Sequence, residues 1–460
     1  MMQCIKTITA AACFTAVAAS AFAQDTVDIP IDQAGAVATQ ALLAGETAVA
    51  AQIAEAVLTQ RPDDRAALVV VAAAAPRLNN PERGIETGAR AWRLSDTPLQ
   101  RYEAARLTAL AAAEAERFTT AAFWLRLALL SAPYDAERAR TIADGRQVSQ
   151  RNPLQVQLSF SLAPSTNVNG GAETDISSAP GNPDGRLSDD ALALAGWRAS
   201  LGFGANYRVQ QNETSRTTVG FSLQASRVRL TDDTSVPDEA FDTNSIEARL
   251  RHERLFADGL LGISLSRGQF DYRDLDLAAE TTDFEKYDAT RLFVDYRYPV
   301  SDRTTVDVFA GRELLRYDAT GIGEVKRTIL GSSVSYRLES GDRISTTYRF
   351  VGSDGDNGNY TSDDHSLSVS YGFAEPFGDV TVALGGGVRW ADYPEYRLLN
   401  PVTGGRQDET VFANVNLGFP EASIAGFIPG IRIDANRTDS NVSRFDRESL
   451  GASLTITSSF

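Results

Sequence analysis

Two periods of apolar and polar positions divide the chain. From Gln24 to about Gln150 the apolar residues recur at intervals of three and four among Ala, Leu, Arg and Glu, the spacing of one face of a helix. After Pro153 the interval becomes two: Trp197, Ala199, Leu201, Phe203, Ala205 and Tyr207 share one parity, and Arg198, Ser200, Gly202, Gly204, Asn206 and Arg208 take the other. The same alternation returns at 219–225, 367–373, 380–390 and 411–419, and about fourteen such segments lie between 154 and 460. Strands of about ten residues with one greasy and one polar face are the pattern of a transmembrane barrel, because lipid tolerates no unpaired strand edge. An even strand number is what a closed antiparallel barrel of this kind requires. A soluble β-sandwich would alternate as well, so the period alone leaves both open.

The connections separate the two. Brief polar turns (QQNE, FAD, SD, ESG) alternate with longer acidic or Gly/Asp/Asn-rich loops (TDDTSVPDEAF, DLDLAAETTDF, GSDGDNGNYTS and the tract 162–191), as short periplasmic turns and long external loops do. PEASIAGFIP (420–429) is long for its side. In the helical part, Pro62, Pro98 and Pro133 are expected to close alanine-rich helices about 35 residues apart, close to the period of tetratricopeptide units. FTTAAFWLRLALLSAP places Phe118, Ala121, Leu125, Ala128 and Pro133 at the offsets of the second helix of such a unit, with Ala105 and Ala109 on the first. An irregular helical bundle is the plainer alternative.

The N-terminus, MMQCIKTITAAACFTAVAASAFAQ, has one early cation (Lys6), an apolar run and Ala21-Phe22-Ala23 before Gln24, the form of a secretory signal peptide. Both cysteines, Cys4 and Cys13, fall inside it, so the mature chain is expected to have no thiol chemistry. The formal net charge is −16, and removal of the signal makes it one unit more negative. Such acidity argues against nucleic acid as a partner. The predicted organisation is a signal peptide (1–23), a periplasmic helical domain (24–150) and an outer-membrane barrel (151–460), the fold class being a helical repeat domain followed by a transmembrane β-barrel.

Little in the sequence points to bond-making chemistry. Of the two histidines, His252 falls on the apolar parity and His365 in an Asp-Asp-His stretch expected to be an external turn, so no Ser-His-Asp set assembles and no enzyme is expected. DGDNGNYTSDDH (354–365) lacks the closing Glu of a calcium loop. No metal or cofactor is called for. On the inward parity stand Arg198, Arg208, Arg297, Arg349, Arg389 and Arg432, which either brace the wall or line a water-filled path. Gly385, Gly386 and Gly387 mark a kink or a close approach to the wall.

The first strand ends in Ala163-Pro164-Ser165-Thr166-Asn167-Val168-Asn169, and RTDSN (Arg437 to Asn441, with Ser440) precedes a final strand ending in Phe460. With a helical repeat domain ahead of a barrel of about fourteen strands, these elements resemble the surface lipoprotein assembly modifier (Slam) family. The resemblance implies that the helical domain receives a periplasmic client, a lipoprotein or a secreted protein, and that the barrel assists its passage to the surface. It also implies outer-membrane lipid and the barrel assembly machinery as partners, the latter reading the terminal Phe460. A porin-like or polysaccharide-export channel is the alternative, and a barrel serving only as an anchor a third. The Asn-Val-Asn-Gly-Gly tract either shapes the first external loop toward a client or supplies turn geometry.

Overall fold

The structure, a computed structural model, describes residues 29–276, 281–319 and 321–458. The expected signal segment 1–23 and the terminal Phe460 lie outside the described residues. Seven helices come first: α1 (Ile31–Leu43), α2 (Thr47–Gln60), α3 (Arg65–Ala74), α4 (Pro81–Arg93), α5 (Pro98–Glu114), α6 (Phe118–Leu130) and α7 (Asp135–Arg151). Each packs on the next, and α3 also touches α1 and α5. The alanines explain the tight stack. Ala50, Ala54, Ala67, Ala91 and Ala104 are fully buried between helices, where a methyl group lets two axes approach closely. Between α2 and α4, Arg83 donates from Nε and Nη2 to the two oxygens of Glu55 at 2.8 and 2.9 Å. This fork-on-fork bond holds the Arg83 guanidinium above its ordinary pKa.

One proline expectation is reversed. Helix α4 ends at Arg93, and Pro98 opens α5 instead of closing a helix. Thr97 caps it: Thr97 Oγ1 accepts from Gln100 N at 3.3 Å, and Gln100 Oε1 accepts from Thr97 N at 3.3 Å. A proline at the first helical position loses no hydrogen bond, since that N–H has no partner inside the helix.

Fourteen strands then close into one antiparallel barrel: β1 (Leu154–Ser165), β2 (Gly196–Gln211), β3 (Ser215–Leu230), β4 (Thr243–Phe256), β5 (Gly259–Asp276), β6 (Thr281–Pro299) and β7 (Thr304–Tyr317) complete the first half. The second half is β8 (Glu324–Arg337), β9 (Arg343–Gly355), β10 (Ser362–Gly372), β11 (Thr381–Tyr393), β12 (Arg406–Gly418), β13 (Phe427–Ser440) and β14 (Arg447–Ser458). Neighbours in sequence are neighbours in the wall, and β1 meets β14. Leu201, Val209, Leu223, Leu265, Val411 and Leu454 stand exposed on the outer face. In water such a belt would be costly; against lipid it is the stable choice, and this is the architecture of an outer-membrane barrel.

Two loops differ from their sequence expectation. Most of DLDLAAETTDF is strand, because β5 runs to Asp276 and β6 resumes at Thr281. His365 is not in a turn: a 3₁₀ turn at Gly358–Tyr360 reverses the chain earlier, and β10 places His365 on the outer face. There its ring lies 5.0 Å from that of Phe350 and its Nδ1 is 2.8 Å from the Tyr348 hydroxyl. β1 pairs with β2 along its whole length, but with β14 only between Ser161 and Ser165. Pro164 has no N–H to give, and the β1 residues from Leu154 to Phe160 have no β14 partner among the described residues.

Candidate functional site

Helix α7 runs straight into β1, and two further contacts fasten the helical domain to the same end of the barrel. Arg208 at the end of β2 donates to the carbonyls of Gln150 and Arg151 at 3.2 and 2.7 Å, a cation placed at the negative end of α7. Asn152 between them accepts from Thr119 Oγ1 and from Leu154 N, each at 3.1 Å. On the far side of the seam, Arg126 of α6 donates to the Ala425 carbonyl at 3.1 Å and lies 4.5 Å from the centre of the Phe427 ring. Desolvation at this contact lowers the Arg126 pKa. The segment 419–426, too long for a simple turn, is thus the barrel's docking point for α6.

The helical domain carries a groove of about 940 Å³. Alternate helices, α1, α3, α5 and α7, supply nearly all of its wall. Val69, Val70, Leu107 and Leu110 form its apolar floor. Its edges are ion-paired: Arg65 donates to Glu103 at 2.9 Å, and Arg106 pairs with Asp144. Leu99 and Leu110 line it while remaining largely exposed. Such a concave surface, greasy in the middle and charged at the rim, suits an amphipathic segment of another protein.

Inside the barrel the two arcs of the wall differ. From β3 to β8 interleaved charged pairs stand among small and aromatic inward residues. Arg216 and Arg251 both reach Glu253, at 2.5 and 3.2 Å, and Arg251 also forks onto Asp295 at 2.8 and 2.9 Å. Arg291 bridges Glu247 and Glu313, and Arg327 reaches Glu313 from the next strand at 3.3 Å. Only 8% of the Glu313 side chain is exposed, so the arginines replace its water. From β9 to β2 the wall is mostly small and neutral: Ser345, Ser368, Ser370, Asn414, Gln157 and Ser159 face inward. The ring of Phe412 covers Gly387, where a Cβ would stand 2.7 Å from it, so the glycine run there gives close packing against the wall.

At the opposite end of the barrel, three loops fold together into a cap. Asn167 donates to the Gly171 and Glu448 carbonyls at 2.9 and 3.2 Å, and its own oxygen accepts from Gly171 N at 2.8 Å. Asn169 spans the loop, donating to the carbonyls of Asp190 and Leu192 and accepting from Leu194 N. Gly171 is required where it stands, since a Cβ would meet the Leu192 carbonyl at 2.1 Å. Ser440 Oγ donates to Asp408 at 2.7 Å, and Asn441 bonds the backbone of Gly405 and Gln407. Ala179, Tyr396, Val402 and Val442 bury one small core beneath. Arg406 lies between the rings of Tyr393 and Phe445, 3.6 and 3.7 Å from their centres, and pairs with Asp408 at 3.0 Å.

No family model and no curated protein matches the sequence. Solved structures do. One is a loop L8 deletion mutant of OmpT, an outer membrane protein of Vibrio cholerae, at 8% identity over 66% of this chain and 99% of that one, TM-score 0.34. A bacterial polysaccharide outer membrane secretin matches at 12% identity over 66% and 98%, TM-score 0.35. OccAB3 of Acinetobacter baumannii matches at 11% identity over 66% and 98%, TM-score 0.34. At such identities and scores the likeness does not extend to function.

The structure brings the two motif fragments together. Pro164, Ser165, Asn167 and Asn169 meet the loop after Ser440 and Asn441 because closure sets the first strand beside the last; Ser165 Oγ lies 3.4 Å from Ser449 Oγ, and Glu173 N donates to the Asp446 carbonyl at 3.0 Å. Every polar atom of the two Asn side chains is used within the loop or to its neighbours, which is turn and cap geometry. Asn167→Ala would remove three hydrogen bonds to backbone groups, of which Gly171 N keeps only a long one to Asn169 Oδ1 at 3.4 Å, and should cost the cap about 1–3 kcal/mol, read as faster limited proteolysis between 170 and 190 with the barrel intact. The six inward arginines divide. Arg198 bonds the Val168 carbonyl and Ser226, Arg208 holds α7, Arg297 pairs with Asp307, Arg389 with Asp364 and Arg432 with Asp434. Arg349 faces the lumen without a side-chain bond among the described residues. Sequence reasoning missed the paired network from β3 to β8. Its signal was present in EARLRHE, where Glu247, Arg249, Arg251 and Glu253 alternate with Ala248, Leu250 and His252. His252 and His365 bond Thr217 and Tyr348 on the outer face, and no metal-holding cluster occurs among the described residues.

Proposed function

We propose that the chain is an outer-membrane transport protein whose helical domain captures an exported client in the periplasm, and whose barrel assists the client's passage to the surface. The observation that carries this reading is the groove on alternate helices, with an apolar floor and paired charges at its rim, in a domain fastened to one mouth of the barrel. Alternate helices lining one concave face is the geometry of tetratricopeptide-type arrays, and it supports the resemblance to surface lipoprotein assembly modifiers. On this reading the client is a lipoprotein or secreted protein presenting an amphipathic segment, and the capped end faces outward.

Leu99→Asp with Leu110→Asp tests this directly. Both side chains are largely exposed, so charging them alters the groove with little effect on folding. Surface-protein profiles from cells carrying the variant should lose at least one component while the barrel reaches the membrane in normal amount; an unchanged profile contradicts the receiver role. The lumen-facing Arg349, without a side-chain bond among the described residues, favours a second reading, a channel for anionic solutes. Conductance of the purified protein in planar bilayers, with anion selectivity, distinguishes it.

A further inference from the structure

We propose that the helix-side mouth of the barrel carries a phosphate-class oxyanion site built by Arg297, Arg303, Arg337 and Arg343. These residues line a cavity of about 250 Å³ together with the hydroxyls of Thr305 and Ser335. Arg337 and Arg343 flank one short turn and stand directly opposite each other in the β8–β9 ladder, both on the inward parity. Like charges in that position oppose strand pairing unless an anion lies between them. Asp302 and Asp307 line the cavity as well, so four arginines face two carboxylates there, and no ion pair joins either acid to Arg337 or Arg343 among the described residues. Asp342 accepts from Ala374 N at 2.8 Å, the Tyr371 hydroxyl at 2.6 Å and Ser340 at 2.8 Å; Asp307 is held by Arg297 at 2.7 Å, and Glu339 by Arg303 at 3.0 Å. Among the described residues no side chain pairs with Arg337 or Arg343.

Two arginines opposed at one ladder position, sharing a cavity wall with the hydroxyls of Thr305 and Ser335, suit a tetrahedral oxyanion, which each guanidinium can meet with two parallel N–H bonds. From Ser335 on the cavity wall a hydroxyl row continues through Ser345, Ser333 and Thr347, bonded at 2.9 to 3.3 Å, toward Arg349, which has no side-chain bond among the described residues. In the closed strand order β8 lies seven strands from β1, so the site occupies the side of the mouth away from the helical attachment. It does not depend on the client reading. The oxyanion is either free or the headgroup of an inner-leaflet phospholipid reaching over the rim.

The test uses the full chain in detergent micelles. Inorganic phosphate is titrated by calorimetry at constant ionic strength against R337Q/R343Q, with Arg254→Gln on the outer face as control. In a second arm, retention of phosphatidylglycerol against phosphatidylcholine from nanodiscs is read by native mass spectrometry. The site predicts that the double variant loses at least tenfold in phosphate affinity, or loses retained phosphatidylglycerol, while the control does neither. The first result identifies a free oxyanion and the second a headgroup. Binding that is absent in both arms, or equal in the double variant, overturns the proposal. Should R337Q/R343Q fail the heat-modifiability test of barrel folding, Arg343→Gln alone decides on the same readouts, with a loss of about threefold expected.

Discussion

Glu313→Ala should destabilise the barrel by about 3 kcal/mol, lowering the midpoint of urea unfolding in detergent and the temperature at which the folded band is lost on semi-native gels. Glu313 is enclosed by Arg291 and Arg327 from the strands on either side, with Arg291 also reaching Glu247 and lying 4.9 Å from the Phe270 ring. Taking out one member of a buried ion network leaves the others desolvated and unpaired, which costs about 3–5 kcal/mol in general. The lower figure applies here, because Arg291 and Arg327 retain 22% and 37% side-chain exposure and water recovers part of the loss. Glu313→Gln keeps the shape and an acceptor and should cost roughly half as much. Asp307→Ala, whose partner Arg297 is 62% exposed, should shift the midpoint by well under about 1 kcal/mol. Equal effects at Glu313 and Asp307 would show that the β3–β8 network does not brace the wall.

Arg406→Ala should open the cap and leave the barrel closed. Arg406 is 8% exposed, stacked between Tyr393 and Phe445 and paired with Asp408, whose side chain is 9% exposed. Each stacked contact contributes about 0.5–2 kcal/mol when desolvated, and the buried carboxylate loses its counter-charge as well. The sum is on the order of 3 kcal/mol, enough to make the open cap a populated state. Limited proteolysis near 178–182 and near 399–404 should accelerate by roughly a hundredfold, while heat-modifiability of the barrel stays normal. Arg406→Lys keeps the charge but not the planar ring contact and should fall between. Unchanged cleavage in Arg406→Ala would mean that the loops hold together without it.

How much of this was legible depends on the range of the interaction. The barrel was, because a strand's period of two is local and the alternation of short turns with long loops separates a membrane barrel from a sandwich. The helical character of 24–150 was as well, although not the number of helices, and Pro98 opens a helix where a closing one is expected: proline punctuates a chain without saying whether it opens or closes a helix, and only the Thr97–Gln100 capping box decides. The meeting of Asn167 with Glu448 follows from closure once β1 is set beside β14. The cap core of Ala179, Tyr396 and Val442 does not, because it joins three loops that no period describes. His365 was misplaced because Asp363-Asp364 reads as turn chemistry, while the ladder opposite Phe350 keeps it in a strand. The groove was invisible for a different reason: which helices line a concave face depends on the twist of the stack, and the sequence of any one helix does not contain it.

In the proposed function the helical domain receives a client that the barrel delivers. The most direct measurement compares the surface-exposed proteins of cells producing the whole chain with those of cells producing it without residues 29–151, the barrel of both being confirmed in the outer membrane by heat-modifiability. Loss of one or more surface proteins, with their retention inside the envelope, is the expected result. An identical surface set, with the truncated barrel folded and inserted, contradicts the claim and leaves the barrel as a channel.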